Sequence, residues 1–353
     1  MSGKTAAEPP SRPEALTLTE MRQVVASASE RATRWSGPRT GPAGKPEIKV
    51  AVICEDLRNG GVLGVARGVG EAANVMGWQV TMLDAHGTPE GRNGEIAKAL
   101  ALNPDGAILI GSDARTLEPL LSQFAKNGIP LVGWHIGPQA GALSTGSVAI
   151  NVSSDPLEVA RVTAMSAILD ARTPIGVVLF TDATFDIAMA KANAMARILR
   201  ECETCTLLEV RKLPISQAAN LMPKVTRELL ARHGARWTHA LAINDIYFDY
   251  AVPELVKSGQ DIRMFSAGDG SPAAFLRIQA GTFQFGTVAE PLNLQGWQLV
   301  DELNRLLSGH KVSGYIVPVH LVTRENIAFD GGPQMLFDPE NNYRKVYRRI
   351  WRR

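Results

Sequence analysis

Short, nearly unbroken apolar runs alternate with amphipathic segments along most of the chain, starting near residue 48. The run Val50–Cys54 is followed by a polar loop, and apolar residues then recur every three or four positions from Val62 to Met76. Such a run is typical of a strand buried on both faces, and the later spacing is typical of one stripe of a helix. Repetition of this unit predicts parallel strands joined by right-handed crossovers, and therefore an α/β fold.

The pattern predicts this series of elements twice. In the first series we expect strands at Lys49–Cys54, Gln79–Leu83, Gly106–Ile110, Pro130–Trp134 and Ser147–Val152, with helices at Val62–Met76, Asn93–Leu102 and Thr116–Asn127. In the second we expect strands at Ile175–Phe180, Thr206–Val210, His239–Ala242, Arg263–Ala267 and Gln284–Val288, with helices at Phe185–Glu201, Ala218–His233, Asp245–Ser258 and Ser271–Ala280. The repetition predicts two similar, doubly wound parallel-sheet domains.

Segments before and after these two series are less regular. A helix is predicted at Leu16–Trp35, with one weakly apolar face, and we expect it to form an arm on the main body. A last helix at Leu292–Ser308 and a strand at Tyr315–Val319 follow the second series. The tail, Asp330–Arg353, is predicted to be irregular and then helical.

Composition agrees with two globular domains. The chain has 353 residues, of which 45% are hydrophobic and 20% charged, and its net charge is +2. This length suits two domains, and the weak net charge gives no sign of nucleic-acid binding. Six cations lie in the last ten residues, which favours a solvated basic tail over a membrane-binding or partner-binding patch.

The sequence leaves the compartment open. No apolar run reaches the roughly 18–20 residues that cross a bilayer, and the first residues lack the apolar core of a signal peptide. The protein is then either cytoplasmic or a form whose signal peptide has been removed or replaced.

Three cysteines are present. Cys54 lies inside the first predicted strand, whereas Cys202 and Cys205 form a Cys-Glu-Thr-Cys motif after a predicted helix. A thioredoxin-type redox motif would open a helix, and a zinc site would need further ligands. A short structural disulfide in an oxidising compartment remains as an interpretation of this pair.

Signatures of catalysis are missing. The loop after the first strand, Asp56–Gly61, does not carry the G-x-G-x-x-G pattern of dinucleotide sites. There is no phosphate loop and no His-Glu-x-x-His motif, and Leu143–Gly146 lacks the first glycine of a nucleophile elbow. We therefore expect no catalytic residue, no metal site and no cofactor.

Polar residues recur just past the predicted strand ends. They are Asp56, Asn59, Trp134, His135, Asp182, Asp186, Asn244, Asp245, Asp269 and Glu290. Each could be a loop residue or a helix cap, as Asp245 and Ser271 in particular could be. Parallel sheets, however, place all these ends at one edge, and two such edges facing each other would line a ligand cleft.

Several short motifs carry a family resemblance. They are Leu57-Arg58-Asn59-Gly60-Gly61, Gly128-Ile129-Pro130-Leu131-Val132, Ala242-Ile243-Asn244-Asp245, Ala267-Gly268-Asp269-Gly270 and Val288-Ala289-Glu290-Pro291. In their order and spacing the chain resembles sugar-type periplasmic substrate-binding proteins of the ribose-binding class, which serve ATP-driven importers. The resemblance implies two α/β domains joined by three crossings, near Asn151, Glu290 and Pro318, that close on a ligand.

The same resemblance sets the expected domain bounds. We expect an arm at 1–47, a first domain at 48–151 plus 290–318, a second domain at 152–289 plus 319–335, and a basic tail at 336–353.

Positions of the family's ligand contacts can be carried over to this chain. Asn59, His135, Asn244, Asp269 and Glu290 fall where the family's polar contacts lie, with Asp56 beside the first of them. Asp186 or Lys191 lies near the family's arginine, and Trp134, Phe185 and Tyr247 could supply a stacking face.

Departures from the family pattern point to an unusual ligand. Gly61 and Val62 replace aromatic residues, His135-Ile136 replaces an Asp-Arg pair, and Glu290 replaces a glutamine. No arginine is evidently placed beside the carboxylates of Asp186, Asp269 and Glu290, so the ligand should bring many donors or a positive charge.

The resemblance implies a non-enzymatic solute-binding protein of the periplasm. We expect a monomer that captures a sugar, a polyol or an amine-bearing analogue by hinge closure and delivers it to the permease of an ABC importer. Two alternatives stay open: the body of a repressor-type transcriptional regulator without its DNA-binding domain, and an enzyme acting at the cleft. The first would need a helix-turn-helix before Ile48, and the second a paired base and nucleophile.

Overall fold

Helices and strands alternate along nearly all of the described chain. The structure, a computed structural model, describes residues 17–171, 174–331 and 334–353. The strands are β1 (Lys49–Cys54), β2 (Gln79–Asp84), β3 (Gly106–Ile110), β4 (Leu131–Trp134), β5 (Gly141–Ala142), β6 (Ile150–Val152), β7 (Ile175–Thr181), β8 (Cys205–Lys212), β9 (His239–Ala242), β10 (Arg263–Ser266), β11 (Gln284–Val288) and β12 (Leu321–Thr323). The helices are α1 (Leu18–Ala28), α2 (Gly60–Met76), α3 (Pro89–Ala101), α4 (Ala114–Lys126), α5 (Pro156–Asp170), α6 (Asp186–Glu201), α7 (Ala218–His233), α8 (Ile246–Ser258), α9 (Pro272–Ala280), α10 (Leu292–Leu307), α11 (Ile327–Asp330) and α12 (Tyr343–Trp351).

The strands form two sheets of six. The first has the order β2-β1-β3-β4-β6-β5 and the second the order β12-β11-β10-β9-β7-β8. All pairs are parallel except two at sheet edges, β5 with β6 and β11 with β12. We call the halves built on these sheets the first and second lobes. Two similar α/β lobes with mostly parallel sheets confirm the predicted fold class.

Between β1 and β12 the chain passes between the lobes three times. It leaves the first sheet after β6 and enters α5, which packs on β9, β10 and β11 of the second. It returns after β11 into α10, which packs closely on α2 of the first lobe. It then crosses again to β12, which pairs with β11. Several segments between the lobes are what a hinge requires.

Close packing of α10 on α2 depends on two glycines. A Cβ atom at Gly296 would lie 2.5 Å from the backbone of Gly68, and one at Gly68 would lie 2.7 Å from the carbonyl oxygen of Asn293. Only a hydrogen atom fits at such a backbone contact. This contact fixes α10, and with it Gln295, against the first lobe.

The sequence pattern missed helix α5. Its residues from Val159 to Ile168 are buried except Arg161, and Thr163 and Ser166 donate their hydroxyl hydrogens to the carbonyls four residues earlier. Because α1, α6 and the second sheet cover most of this helix, its few exposed residues form no continuous polar face and the helix shows no amphipathic stripe.

Two predicted elements near the chain ends need correction. The strand at Tyr315–Val319 is wrong, because this segment joins no sheet: Val317 is buried in the first lobe's core, and the Tyr315 carbonyl accepts a hydrogen bond from Gln298. The helix predicted at Leu16–Trp35 is shorter in its described part. Thr17 caps its start, and it ends at Ala28, where the Ser29 hydroxyl bonds back to the Val25 carbonyl.

The arm and the tail pack on the body through aromatic residues. Helix α1 lies on α5 of the second lobe, whereas Trp35 packs on Tyr315 and Tyr347 in the first. Helix α12 buries one face, with Trp351 stacked on Trp297 of α10. In the second lobe, the sulfur atoms of Cys202 and Cys205 are bonded to each other.

Candidate functional site

A cavity of about 250 Å³ lies between the two lobes, where the carboxyl ends of their strands face each other. This is the place where open α/β sheets bind ligands. Eight of the eleven residues predicted to bind the ligand line it: Asp56, Asn59, Trp134, His135, Phe185, Lys191, Asn244 and Asp269.

The other three predicted residues lie nearby but do not line the cavity. Glu290 is buried directly behind His135. Asp186 lies at the rim, where its carboxylate pairs with the Arg115 guanidinium at 2.6 Å, so the expectation that no arginine balances it was wrong. Tyr247 is fully buried, and its hydroxyl donates to the Leu213 carbonyl.

His135 stands at the centre of the charged part of the cavity. Its backbone has a φ of 51°, a left-handed conformation that few side chains adopt, and its ring stacks on Trp134 with centroids 3.7 Å apart. Its Nδ1 is 4.0 Å from Asp269 Oδ1, and its Nε2 is 3.4 Å from Glu290 Oε1. A strained backbone that aims an imidazole at two buried carboxylates is typical of a functional site.

Glu290 is only partly hydrogen-bonded. Its Oε2 accepts from the Ser154 hydroxyl at 2.9 Å and from the Gln295 amide, whereas Oε1 has no hydrogen-bond partner in the described part of the chain. Burial alone would raise the pKa of Glu290, but the neighbouring His135 and Lys191 outweigh burial and bring it to about 2. Glu290 is therefore ionised at neutral pH.

Asp269 is carried on a loop that Asp245 holds in place. Asp245 Oδ2 accepts from the backbone N–H of Gly270 at 2.8 Å and of Ser271 at 3.2 Å, and the side chain makes no helix-cap bond. Asn244 Nδ2 donates to Asp269 Oδ2 at 2.8 Å. Burial raises the pKa of Asp269, against the opposing charges of His135 and Lys191, so this carboxyl is the more easily protonated of the pair.

Lys191 provides a buried cation. It is 3% exposed, and its Nζ donates to the Ala267 carbonyl at 2.8 Å. An ammonium group has three donors, so two remain for a ligand.

Two charged residues of the cavity wall were not among the residues predicted from the sequence. Glu55 and Arg92 both line the cavity, and the Arg92 Nε donates to Glu55 Oε2 at 2.8 Å. Glu55 also accepts from the Ser112 hydroxyl at 2.6 Å. No local pattern links residues so far apart in the sequence, although Glu55 itself directly follows β1. Asp56, the neighbouring carboxylate, pairs with the Arg58 guanidinium at 2.7 Å.

The lobes are in contact across the cleft, and Gly61 makes the contact possible. A Cβ atom on Gly61 of α2 would collide with the Asp269 carboxylate of the second lobe, closer than the 3.0 Å that real Cβ atoms keep. At the rim, Asp113 Oδ2 accepts from the Asp186 backbone N–H at 3.1 Å. The missing aromatic residue at position 61 therefore has a steric reason in this closed arrangement.

Comparison with protein families agrees with this architecture. Residues 50–311 match the family model of the periplasmic binding protein domain, and the chain belongs to this family. The prediction of a solute-binding protein rather than an enzyme is thereby confirmed. A search of curated proteins found no match. None of the helices described here is long and apolar enough to cross a membrane.

Solved structures of low sequence identity share the fold. An ABC transporter solute-binding protein from Mycobacterium smegmatis with bound glycerol is 16% identical with a TM-score of 0.72, over 82% of this chain and 99% of that one. An ABC transporter solute-binding protein from Agrobacterium vitis with bound allitol is 17% identical with a TM-score of 0.69. The match covers 80% of this chain and 97% of that one. An ABC transporter solute-binding protein from Bacillus halodurans C-125 with bound myo-inositol is 17% identical with a TM-score of 0.67. The match covers 80% of this chain and 96% of that one.

Proposed function

We propose that this protein binds a small polyhydroxy ligand, namely a sugar, a polyol or an amine-bearing analogue, in the cavity between its lobes. The observation that carries the proposal is the mixture of free donors and acceptors on the cavity wall. Lys191 Nζ, Asn59 Nδ2 and Asn244 Nδ2 each have a hydrogen left to donate, and Asp269 can accept. A hydroxyl group both donates and accepts, so a polyol suits such a wall.

Charge disfavours dicarboxylates and phosphorylated sugars. The guanidinium of Arg92 is engaged by Glu55, and Lys191 lies near the two carboxylates that face His135. An added dianion would be buried next to Asp269, and no described residue of the cavity wall offers a free arginine to pair with it. Desolvating such a charge without a partner is costly.

The size of the cavity and the number of polar groups fit micromolar binding. A volume of about 250 Å³ corresponds to about eight waters at about 30 Å³ each. A micromolar dissociation constant requires about 8 kcal/mol, and a hydrogen bond to a charged group contributes about 1.5–3 kcal/mol. Three such bonds, two from Lys191 Nζ and one to Asp269, supply much of this free energy.

The predicted residues then divide by role. The eight that line the cavity contact the ligand, Glu290 sets the charge beside His135, and Asp186 joins the lobes at the rim. Tyr247 holds the Leu213 backbone next to the loop at 214–217, which also lines the cavity.

Ligand contacts from both lobes would favour the closed state over the open one. Following its family, the protein would act as a monomer in the periplasm and deliver the ligand to the permease of an ABC importer. We propose that its domains follow the bounds predicted above, with crossings near Asn151, Glu290 and Pro318.

A thermal-shift panel tests the proposal. The panel contains glycerol, allitol, myo-inositol, D-tagatose, common hexoses and pentoses, amino sugars, dicarboxylates and sugar phosphates. We expect at least one neutral or cationic polyhydroxy compound to raise the melting temperature of the wild type and to lose this effect in Lys191→Met. Stabilisation by dicarboxylates or sugar phosphates alone would refute the proposal.

A further inference from the structure

A second cavity, of about 270 Å³, lies beside the first at the mouth of the cleft. We call it the outer chamber. Its walls come from α3 (Pro89, Arg92 and Asn93), from the start of α4 (Asp113, Thr116, Leu117, Pro119 and Leu120) and from Thr184 and Phe185 of the second lobe. Both lobes contribute, so the chamber exists only when the cleft is closed.

The inner cavity and the outer chamber share one wall. Pro89, Arg92, Thr184 and Phe185 line both spaces. The Arg92 guanidinium lies 5.8 Å from the centre of the Phe185 ring, and Glu55 holds it there. Phe185 has no comparable anchor: it precedes α6, is only half-buried and makes no cap hydrogen bond.

The two spaces differ in chemistry. The inner cavity carries the charged cluster around His135, whereas the surface of the outer chamber is mostly apolar and comes from residues such as Leu117, Leu120 and Phe185. Its carboxylate, Asp113, is already engaged by the N–H of Thr116 and of Asp186. The structure thus places an apolar compartment next to a polar one.

We propose that the outer chamber binds an apolar substituent, such as an alkyl or aryl group, attached to the polyhydroxy ligand of the inner cavity. This inference rests on the proposed function, and it narrows the ligand class to glycosides or other substituted sugars and polyols. A cavity of about 150 Å³ is enough to hold benzene. The two volumes together fall within the roughly 300–1,000 Å³ of ordinary ligand sites.

The test compares each free sugar with its glycosides. Ribose, glucose and galactose, and their α- and β-linked methyl and phenyl glycosides, are titrated by calorimetry into the wild type. We expect a phenyl glycoside of at least one sugar to bind about tenfold or more tightly than the methyl glycoside, because the phenyl ring fills the outer chamber.

A variant whose own side chain fills the outer chamber tests whether the phenyl ring binds there. In Leu120→Trp the indole occupies the outer chamber, and we expect the phenyl advantage to disappear while methyl glycosides bind as before. Leu102→Trp, at an exposed leucine of the same lobe away from both cavities, should keep the advantage.

The binding results distinguish a failure of the outer chamber from a failure of the inner site. If free sugars and methyl glycosides bind but no phenyl glycoside gains affinity, or if Leu120→Trp keeps the gain, the outer chamber is not a binding site and the inner site stands. If no polyhydroxy compound of the thermal-shift panel and no glycoside binds, the proposed function fails and the inference fails with it.

Discussion

Two pairs of buried carboxylates in this protein have opposite surroundings. Asp301 and Glu302 lie on α10 in the first lobe, away from the cleft. Asp301 accepts from the Trp351 indole N–H and from the Arg305 Nε, both at 2.7 Å. Glu302 accepts from the backbone N–H of Ser313 at 2.6 Å and from its hydroxyl. All four oxygens of this framework pair are satisfied.

The cleft pair, Asp269 and Glu290, is incomplete by comparison. Glu290 Oε1 and His135 Nε2 are both buried, and neither has a hydrogen-bond partner among the described residues. A native structure rarely leaves buried polar atoms unpaired without a functional reason. The framework pair is therefore complete in itself. In the cleft, Glu290 Oε1 faces His135 Nε2 without a hydrogen bond, and Asp269 lines the cavity, where it can accept from a ligand.

The largest expected effect comes from the framework. Trp351→Ala removes a fully buried side chain stacked on Trp297 and leaves Asp301 Oδ1 without its donor. We expect the free energy of unfolding to fall by about 3–5 kcal/mol, measured by urea denaturation. Trp351→Phe keeps most of the packing and should lose less. Ligand affinity should not change, and a large loss of affinity in folded protein would break the distinction between the two pairs.

The next effect concerns pH. Burial raises the pKa of Glu302 to about 7, from 4.5 in the unfolded chain. The native state then holds a proton that the unfolded state releases, so stability falls as pH rises from 4.5 to about 7. Glu302→Gln removes this loss and keeps both contacts with Ser313. We therefore expect the difference in free energy of unfolding between the variant and the wild type to grow in the variant's favour as pH rises from about 4 to about 8. The expected increase is on the order of 3 kcal/mol.

Urea denaturation at several pH values measures this gain. The exposed Glu325→Gln serves as the matched control and should follow the wild type. Parallel pH profiles for Glu302→Gln and the wild type would show that the framework pair carries no such proton.

In the cleft, a substitution of Asp269 is expected to have a smaller effect, and to change ligand affinity rather than the free energy of unfolding. Since burial raises the pKa of Asp269, its charge costs stability at neutral pH. Asp269→Asn should therefore leave the unfolding free energy unchanged or higher, but lower ligand affinity about tenfold to a hundredfold, the worth of one charged hydrogen bond. Calorimetric titration and urea denaturation measure the two quantities. A variant that loses stability but keeps affinity would place Asp269 with the framework.

The smallest effect is expected at the rim. The Arg115 and Asp186 side chains are 77% and 38% exposed, and such surface pairs contribute about 0.2–1 kcal/mol. Arg115→Ala should thus change the dissociation constant by less than about fivefold. A larger loss, measured by the same titration, would show that closure depends on the rim as well as on the cavity.

Much of this architecture could be predicted from the sequence, because buried parallel strands leave clear apolar runs such as Val50–Cys54. Helix α5 was missed because a helix that is buried over most of its surface has no periodic stripe. The segment Tyr315–Val319 was mistaken for a strand because Tyr315 and Val317 pack on the first lobe's core without pairing with any described strand.

The candidate site was predictable in part. Strand ends and family positions pointed to His135 and Asp269, but the Glu55–Arg92 pair joins two distant segments and leaves no local signal. Gly61 could be recognised from the sequence only as a departure from the family pattern. Its contact with Asp269 depends on how the lobes meet, which no sequence pattern records.

That contact offers the most direct test of the central claim, that ligand binds where the lobes close. Gly61→Ala places a methyl group against the Asp269 carboxylate, whereas Gly70→Ala, on the same helix, points into open space. Each should be neutral or stabilising in the folded lobe, since alanine favours helices by up to about 1 kcal/mol.

The affinities of both variants are measured by calorimetric titration with a polyhydroxy compound that stabilises the wild type. We predict that Gly61→Ala loses about a hundredfold or more in affinity, because the second lobe's charged hydrogen bonds no longer reach the ligand, and that Gly70→Ala binds like the wild type. Equal affinities for the two variants would contradict the account.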